Sequence, residues 1–446
     1  MIILSIFLAF IGQLVSADQQ QLALSSASSD FSQRLYQKVA LNESNVVYSP
    51  YSIHSLLTMT SLGARGDTAA EMKNVLGITS LGESVHSLYR ETIQQLNSQT
   101  DVQLLTGNAI FINPSYPIVP EFIQETANNY FALTDHFEFS ANEGPEKTIN
   151  DYVEVKTGHM VKDLLEPDTI DNYTVMLLVN TLFFNGTWNS PFNETETRKQ
   201  DFQLPGGAVK QVDMMNGYLI QTNIKTDDVN KVDVAEIAFK GKRFALYIAL
   251  PQEVDGITDL VSLRETLLSR TRPSPTSLYA LLIQAPLTSH LIASYIRAGV
   301  FCCLKVDLSS SPHIPIEEIL LQKAGKVDEL FTGLKTENVE MAIPKFKIET
   351  KIELDDFLID MGMVQAFSFE LADFSGLSQE AQVYISRVIH KAVIEVQESG
   401  TVAAAVTAAK ISGRKKLLSF IADHPFLFFL RDKETGQVIF QGKFSG

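Results

Sequence analysis

Residues 175–188, VMLLVNTLFFNGTW, carry apolar side chains on both parities of an extended chain. A strand with one wet face alternates apolar with polar residues, and this run does not. It reads as a central strand buried on both faces, so other elements must cover both sides of its sheet. Asn180 interrupts the run, and a carboxamide there needs hydrogen-bond partners from the core. With 45% apolar residues among 446, the chain has material for a core of that kind. Its only cysteines, Cys302 and Cys303, are adjacent. Neighbouring Cα atoms lie closer than a structural disulfide prefers, so stability must come from packing. A formal net charge of −16 argues against nucleic acid as a partner.

A second stretch has the opposite character. Residues 395–416, EVQESGTVAAAVTAAKISGRKK, place Thr401, Ala403, Ala405, Thr407 and Ala409 on one parity and Val402, Ala404, Val406 and Ala408 on the other. This alternation is too weak for a convincing amphipathic helix, and the side chains are too small to hold a strand in place. Ser412 and Gly413 then lead into Arg414, Lys415 and Lys416. Exposed cations on a pliable chain are what trypsin-like proteases cut, because their specificity pocket carries a buried acid. From the residues alone, a surface helix ending in a basic loop is the alternative.

The flanks decide between these readings. Upstream stands ISRVIHKAVIEVQESGT (385–401), and downstream ADHPFLFFLRDKETGQVIFQGKF (422–444). The Glu398, Gly400, Thr401 hinge, the Ala403, Ala404, Ala405 run and the His424, Pro425, Phe426, Leu427 motif follow one another in an order and spacing that resemble the serpins, protease inhibitors with an exposed reactive loop. NVVYSPYSIHSLL (45–57), VEMAIPKFKIETKIEL (339–354) and DMGMVQAFS with ADFSGLS (360–378) extend the resemblance. It covers nearly everything outside 1–17 and an interval at 261–314.

The resemblance implies an α+β fold: a large mixed sheet A, two smaller sheets, about nine helices, and a reactive loop at 400–419 exposed above a single domain spanning 18–446. It places Ser49, Ser52, Asn180 and His390 together where sheet A parts to admit the loop, with Trp188 at the top of the opening. Taken singly, each of these is as readable as an ordinary core residue, and only their joint presence favours the gate. The implied mechanism is suicide inhibition. A trypsin-like serine protease attacks the bond between Arg414 and Lys415, and the freed hinge inserts into sheet A. Arg414 lies 16 residues beyond Glu398, the hinge-to-scissile distance of inhibitory members. Two positions depart from the family pattern: Val402 stands where many inhibitors carry an acid, and Tyr152 where a tryptophan is usual. The rival reading is a non-inhibitory carrier or storage serpin, whose hinge tends to be bulky, charged or proline-bearing, as this one is not.

The remaining expectations concern the chain's setting. Residues 1–17, MIILSIFLAFIGQLVSA, read as a signal peptide with Val15 and Ala17 at the cleavage site, or as a membrane anchor, for which the run is short. Secretion is expected, and sequons at Asn42, Asn172, Asn185 and Asn193 suit that route, although Asn185 lies in an apolar stretch where a glycan is hard to place. The helix at 84–99 has one arginine and no basic stripe, so no heparin site is expected. Residues 266–306 contain no Asp or Glu although the chain has 52. The surplus interval 261–314 is readable as a membrane-touching or partner-binding insertion, and preferably as a translated intron, since Val261-Ser262 is what a splice donor encodes in one frame. No GxSxG elbow, HExxH, CxxC or phosphate loop occurs, so neither an enzyme nor a metal or cofactor is expected. The expected partner is a trypsin-like protease, met by a monomer with no membrane association.

Overall fold

The computed structural model describes residues 2–39, 44–141, 143–256, 330–379, 382–400 and 418–446. The apolar run forms β5 (Met176–Gly186), buried at every position except Asn185. Its even-numbered side chains, Met176, Leu178, Leu182 and Phe184, join the main core. The odd-numbered Leu177, Val179 and Phe183 enter a second core with Ile149 and Val153 of helix α6 (Pro145–Lys156). β5 is therefore covered on both sides, as its unbroken apolar character requires.

The sheet around β5 has six strands. They run in the order β11 (Phe346–Glu353), β12 (Ile385–Val396), β5, β3 (Ala109–Ile112) and β4 (Leu133–His136), with β2 (Val102–Thr106) also paired to β5. The apolar stretch LLTGNAIFI at 104–112 reads as one strand from its sequence, but it belongs to two, β2 and β3, broken at Gly107. A Cβ there would stand 2.5 Å from Thr181 Oγ1, so only glycine lets the backbone approach this closely. β12 and β5 run parallel, from Ile385 beside Met176 to Val393 beside Phe183. Below this seam lies α2 (Pro50–Thr60), buried throughout, started by Pro50 and capped by Ser49, whose Oγ accepts from the Ser52 N–H.

The two smaller sheets implied by the resemblance are one sheet of nine strands. Its order is β1 (Val46–Tyr48), β15 (Val438–Phe444), β14 (Phe426–Asp432), β9 (Phe244–Pro251), β8 (Val232–Ala238), β7 (Val209–Asp227), β10 (Lys335–Pro344) and β13 (Leu418–Ile421), with β6 (Arg198–Gln203) on β7. The cause is the length of β7. Its 19 residues pair with β6 over Val209–Met214, with β10 over Met214–Ile224 and with β8 over Asn223–Asp227, so the ladder never breaks.

Among the described residues there are seven α-helices rather than about nine: α1 (Ile2–Val39), α2, α3 (Gly66–Val75), α4 (Ser84–Asn97), α5 (Pro120–Tyr130), α6 and α7 (Asp355–Asp360). Three further segments, at Glu194–Glu196, Pro205–Gly207 and Gln365–Phe367, are single 3₁₀ turns. One turn closes too few hydrogen bonds to propagate, and at Pro205–Gly207 the φ of 75° at Gly206 breaks it outright.

Candidate functional site

The parallel seam between β12 and β5 has a polar centre. His390 and Asn180 face each other in register, both fully buried. The Ser49 backbone N–H donates to His390 Nε2 at 3.0 Å, which leaves that nitrogen without a proton. The ring proton therefore sits on Nδ1 and is donated to Asn180 Oδ1 at 2.5 Å. The Asn180 amide in turn donates to Ser52 Oγ and to Asn108 Oδ1, and Ser52 Oγ donates to Asn108 at 3.3 Å. Burial drives the His390 pKa down to about 3, against the smaller opposing effect of its hydrogen bond with Asn180. The imidazole is neutral, and a second ring proton would point straight at the Ser49 N–H.

Ser49, Ser52, Asn180 and His390 thus form one closed hydrogen-bonded network. Asn108 belongs to it and was missed. Its signal was a polar residue beside Gly107 inside the apolar run 104–112. Tyr152 Oη donates to the Asn108 carbonyl at 3.0 Å, so the tyrosine that replaces the usual tryptophan holds the break between β2 and β3 from the α6 side.

Above the seam the two strands are joined by a clamp. Trp188, 2% exposed, stacks on Phe239 with ring centroids 4.3 Å apart, and its Nε1–H donates to the Gln397 carbonyl at 2.8 Å. The Trp188 and Phe192 backbone N–H groups donate to the carbonyls of Ser399 and Glu398. The Glu398 carboxylate accepts from Lys345 Nζ at 2.9 Å and from Thr197 Oγ1 at 2.8 Å. Burial opposes the charge on Glu398, but these bonds and its backbone contact outweigh burial and hold its pKa below the ordinary value. Lys345 and Thr197 were not singled out in the sequence; PKFKIE at 344–349 offered the only cue.

At the top of β12 the chain has already turned back. Gln397 and Gly400 exchange both backbone hydrogen bonds, N–H to O distances being 2.7 and 3.1 Å, around the two-residue turn Glu398-Ser399. Gly400 also bridges Thr187 of the chain leaving β5, in antiparallel sense. It thus stands between the two strands. Its φ is 128°, and a Cβ would fall 2.1 Å from the Gly186 carbonyl oxygen, so no other residue fits.

The remaining hinge positions Thr401, Ala403, Ala404 and Ala405, the bond between Arg414 and Lys415, and the sequon at Asn42 lie outside the described residues. Asn172 is exposed, Asn185 half-buried, and Asn193 uses its Oδ1 to accept from Thr195 N at 3.1 Å. Among the described residues no three of His, Cys, Asp or Glu gather as a metal site would need, and no helix is long and apolar enough to cross a membrane.

The chain matches the family model described as serpin (serine protease inhibitor) over residues 26–276 and 316–446. It is 29% identical to plasminogen activator inhibitor 1 of Bos taurus over 95% of this chain and 93% of that protein. Among solved structures it is similar to Serpin48 of the insect Tenebrio molitor, described as a highly specific serpin, with TM-score 0.72, 27% identity and 95% of this chain matched to 98% of that one. It is also similar to human thyroxine-binding globulin, with TM-score 0.75, 24% identity and coverage of 95% and 98%.

Proposed function

As the chain belongs to the serpin family, we propose that it is a secreted suicide inhibitor of trypsin-like serine proteases, working by insertion of its reactive loop between β12 and β5. The position of Gly400 carries this reading. A strand that follows β12 through a two-residue turn runs antiparallel to β12, and because β12 and β5 are parallel it is antiparallel to both. Gly400 already occupies the first place in such a strand.

On that reading its two bridges give the inserted strand a register. Seven residues on from Gly400 is Thr407; seven residues back from Thr187 is Asn180, and seven back from Gln397 is His390. An inserted loop therefore brings the Thr407 hydroxyl between the two side chains at the seam's centre. There it can accept from His390 Nδ1–H and donate to Asn180 Oδ1, replacing the bond that parting the strands breaks. Alternation sends Thr401, Ala403 and Ala405 to the core side, against neighbours such as Phe184 and Leu182. These side chains are small enough to enter a packed interior. Val402 falls opposite Asn185 on the outer side, where the usual acid and this valine are both tolerable.

In the proposed reaction the protease serine attacks the carbonyl of Arg414, Lys415 leaves with the new amine, and the acyl-enzyme is carried along as the hinge inserts. New backbone hydrogen bonds and buried apolar surface drive the step, so the uncleaved chain is the less stable state. The test is to mix the full chain with trypsin and look for an SDS-resistant covalent band together with a released peptide starting at Lys415. Cleavage without a band favours the carrier or storage reading. Thr401→Arg puts a charge on the inserting face and is expected to convert the inhibitor into a substrate. An undiminished yield of complex in that variant would sink the insertion mechanism.

A further inference from the structure

Away from the seam, the chain leaving α2 and helices α3, α4 and α5 surround a cavity of about 470 Å³ that the proposed inhibition does not use. His86 of α4 lines it and is itself 7% exposed. Its Nδ1 is hydrogen-bonded to Tyr130 Oη at 2.5 Å. Tyr130 is buried as well, and His86 is the only partner of its hydroxyl among the described residues. A buried hydroxyl gives its proton to an acceptor, so Tyr130 donates, Nδ1 is bare and the ring proton sits on Nε2. Burial, against the pull of Glu83, holds the imidazole pKa down to about 4 and keeps the ring neutral. Nε2 is directed toward Glu83 at the rim of the cavity, but Glu83 Oε2 stands 3.8 Å away, too far to accept. A nearly sealed N–H thus faces the cavity with its hydrogen bond unmade, and such a donor calls for an acceptor.

The charges around that donor are of both signs. Arg65 and Lys73 belong to the α3 side, and Glu121 and Glu125, one turn apart, to α5. They converge on the cavity: Arg65 and Lys73 both act on Glu83, and Glu125 acts on His86. Arg65 is held in place, its Nη1 donating to the carbonyls of Leu62 and Ala64 at 2.8 and 2.7 Å. Gly376 leaves the room the guanidinium fills, since a Cβ there would stand 2.3 Å from Nη2. Between the charges the lining is apolar, with Ala69 and Phe122. A simple anion would meet the carboxylates here, and a simple cation the guanidinium and ammonium. A molecule with one charge of each sign at opposite ends, an apolar body and a carbonyl between them satisfies the whole set. We propose that this cleft binds a short peptide by its free termini. The terminal ammonium lies on Glu121 and Glu125, a backbone carbonyl accepts from His86 Nε2–H, and the terminal carboxylate lies on Arg65 and Lys73. The volume is that of a small-ligand pocket. Nothing in this site depends on loop insertion.

The experiment uses the full chain and the tripeptide alanyl-leucyl-alanine, with its N-acetylated and C-amidated forms as controls. Titration calorimetry is expected to show saturable binding of the free peptide at millimolar concentration or below, and binding about tenfold weaker when either terminus is capped. In heavy-nitrogen histidine spectra the Nε2–H signal of His86 should move along the same saturation curve. Glu121→Gln and Lys73→Met change side chains outside the core and are each expected to weaken binding about fivefold. No saturable binding, equal affinity for free and capped peptides, or a His86 signal that stays in place while peptide binds would each overturn the proposal. Undiminished binding in both variants would overturn it too, by placing the peptide elsewhere. Should a variant fail to fold, the capped peptides still decide, because they leave the chain unchanged.

Discussion

The seam between β12 and β5 and the core of the nine-stranded sheet are built on opposite rules. Around β14 and β15 the contacts are aromatic: Phe346 stacks on Phe444 at 4.9 Å, and Phe202 meets Phe444 edge-on at 5.2 Å. Gly442 lies under the Phe428 ring so closely that a Cβ would be 2.2 Å from its Cζ. Each buried phenylalanine contributes on the order of 1.5–3 kcal/mol, whatever the exact register. At the seam the central contacts are hydrogen bonds among five polar side chains. Each is worth a net of about 1 kcal/mol while satisfied, and several times that in penalty when left unpaired. One region is held by area and the other by complementarity. On the insertion reading, only the second is parted and closed again on a new partner that offers the same donors and acceptors.

The comparison breaks most visibly on the aromatic side. Phe428→Ala empties a fully buried ring site in a packed sheet and is expected to cost about 3–5 kcal/mol, with a fall of several degrees in thermal midpoint. If the chain traps trypsin as proposed, the share of encounters ending in a covalent complex, measured on the fraction still folded, should stay unchanged, because the ring packs on Phe346 and Gly442 rather than on the polar side chains of the seam. A variant whose trapping falls in parallel with its stability would show that the two regions are not separable.

Acid acts on the seam next. His390 has a native pKa of about 3 because it is buried, against about 6.5 in an unfolded chain. The folded value is the lower one, so stability is intact above pH 6.5. Below that the unfolded state takes up a proton that the native state refuses. The loss is about 1.4 kcal/mol per pH unit and continues down to about pH 3. His54, bound between Tyr89 and the Leu76 carbonyl and lowered to about 4 by burial, adds to it over much of the same window. His390→Gln separates the two. Glutamine can accept from the Ser49 N–H and donate to Asn180 but never titrates. The urea midpoint of the variant should therefore fall less steeply than that of the natural chain between pH 6.5 and 4, and parallel slopes would remove His390 from the account.

How much of this was legible in the sequence follows from the same contrast. β5 announced itself because burial on both faces leaves an unbroken apolar run. The cap at Ser49 and the helix start at Pro50 have local causes, a side-chain acceptor for the Ser52 N–H and a proline ring in the first turn. Ser49, Ser52, Asn180 and His390 are scattered over more than 300 residues, and no periodicity gathers them; the resemblance to serpins did. Asn108, Lys345 and Thr197 escaped because each is an ordinary polar residue until the fold supplies its partner. The fusion of the two smaller sheets escaped for a related reason. Whether a 19-residue strand such as β7 runs on or breaks between two sheets depends on pairing with β6, β8 and β10, which its own sequence does not encode.

The smallest effect lies at the clamp, where the two rules meet. Glu398 is buried and Lys345 is partly exposed, so their ion pair is screened on one side and contributes about 1 kcal/mol. Lys345→Met keeps the stem and removes the charge. The Glu398 carboxylate then retains Thr197 and its backbone contact but loses its strongest donor, and the turn that seats Gly400 loosens. The thermal midpoint should move by only a degree or two. The distribution of products should move more: if the loop inserts as proposed, it starts at this hinge, so a looser turn ought to enter the seam sooner after cleavage, or even before it. Trp188 fluorescence on storage at 37 °C reads the second possibility directly, because its indole N–H is bonded to the carbonyl at the foot of that turn. A variant that holds its signal as long as the natural chain, with an unchanged trapping yield, would show that the aromatic stack of Trp188 on Phe239 alone keeps the seam shut. The clamp would then belong to the aromatic side of the comparison.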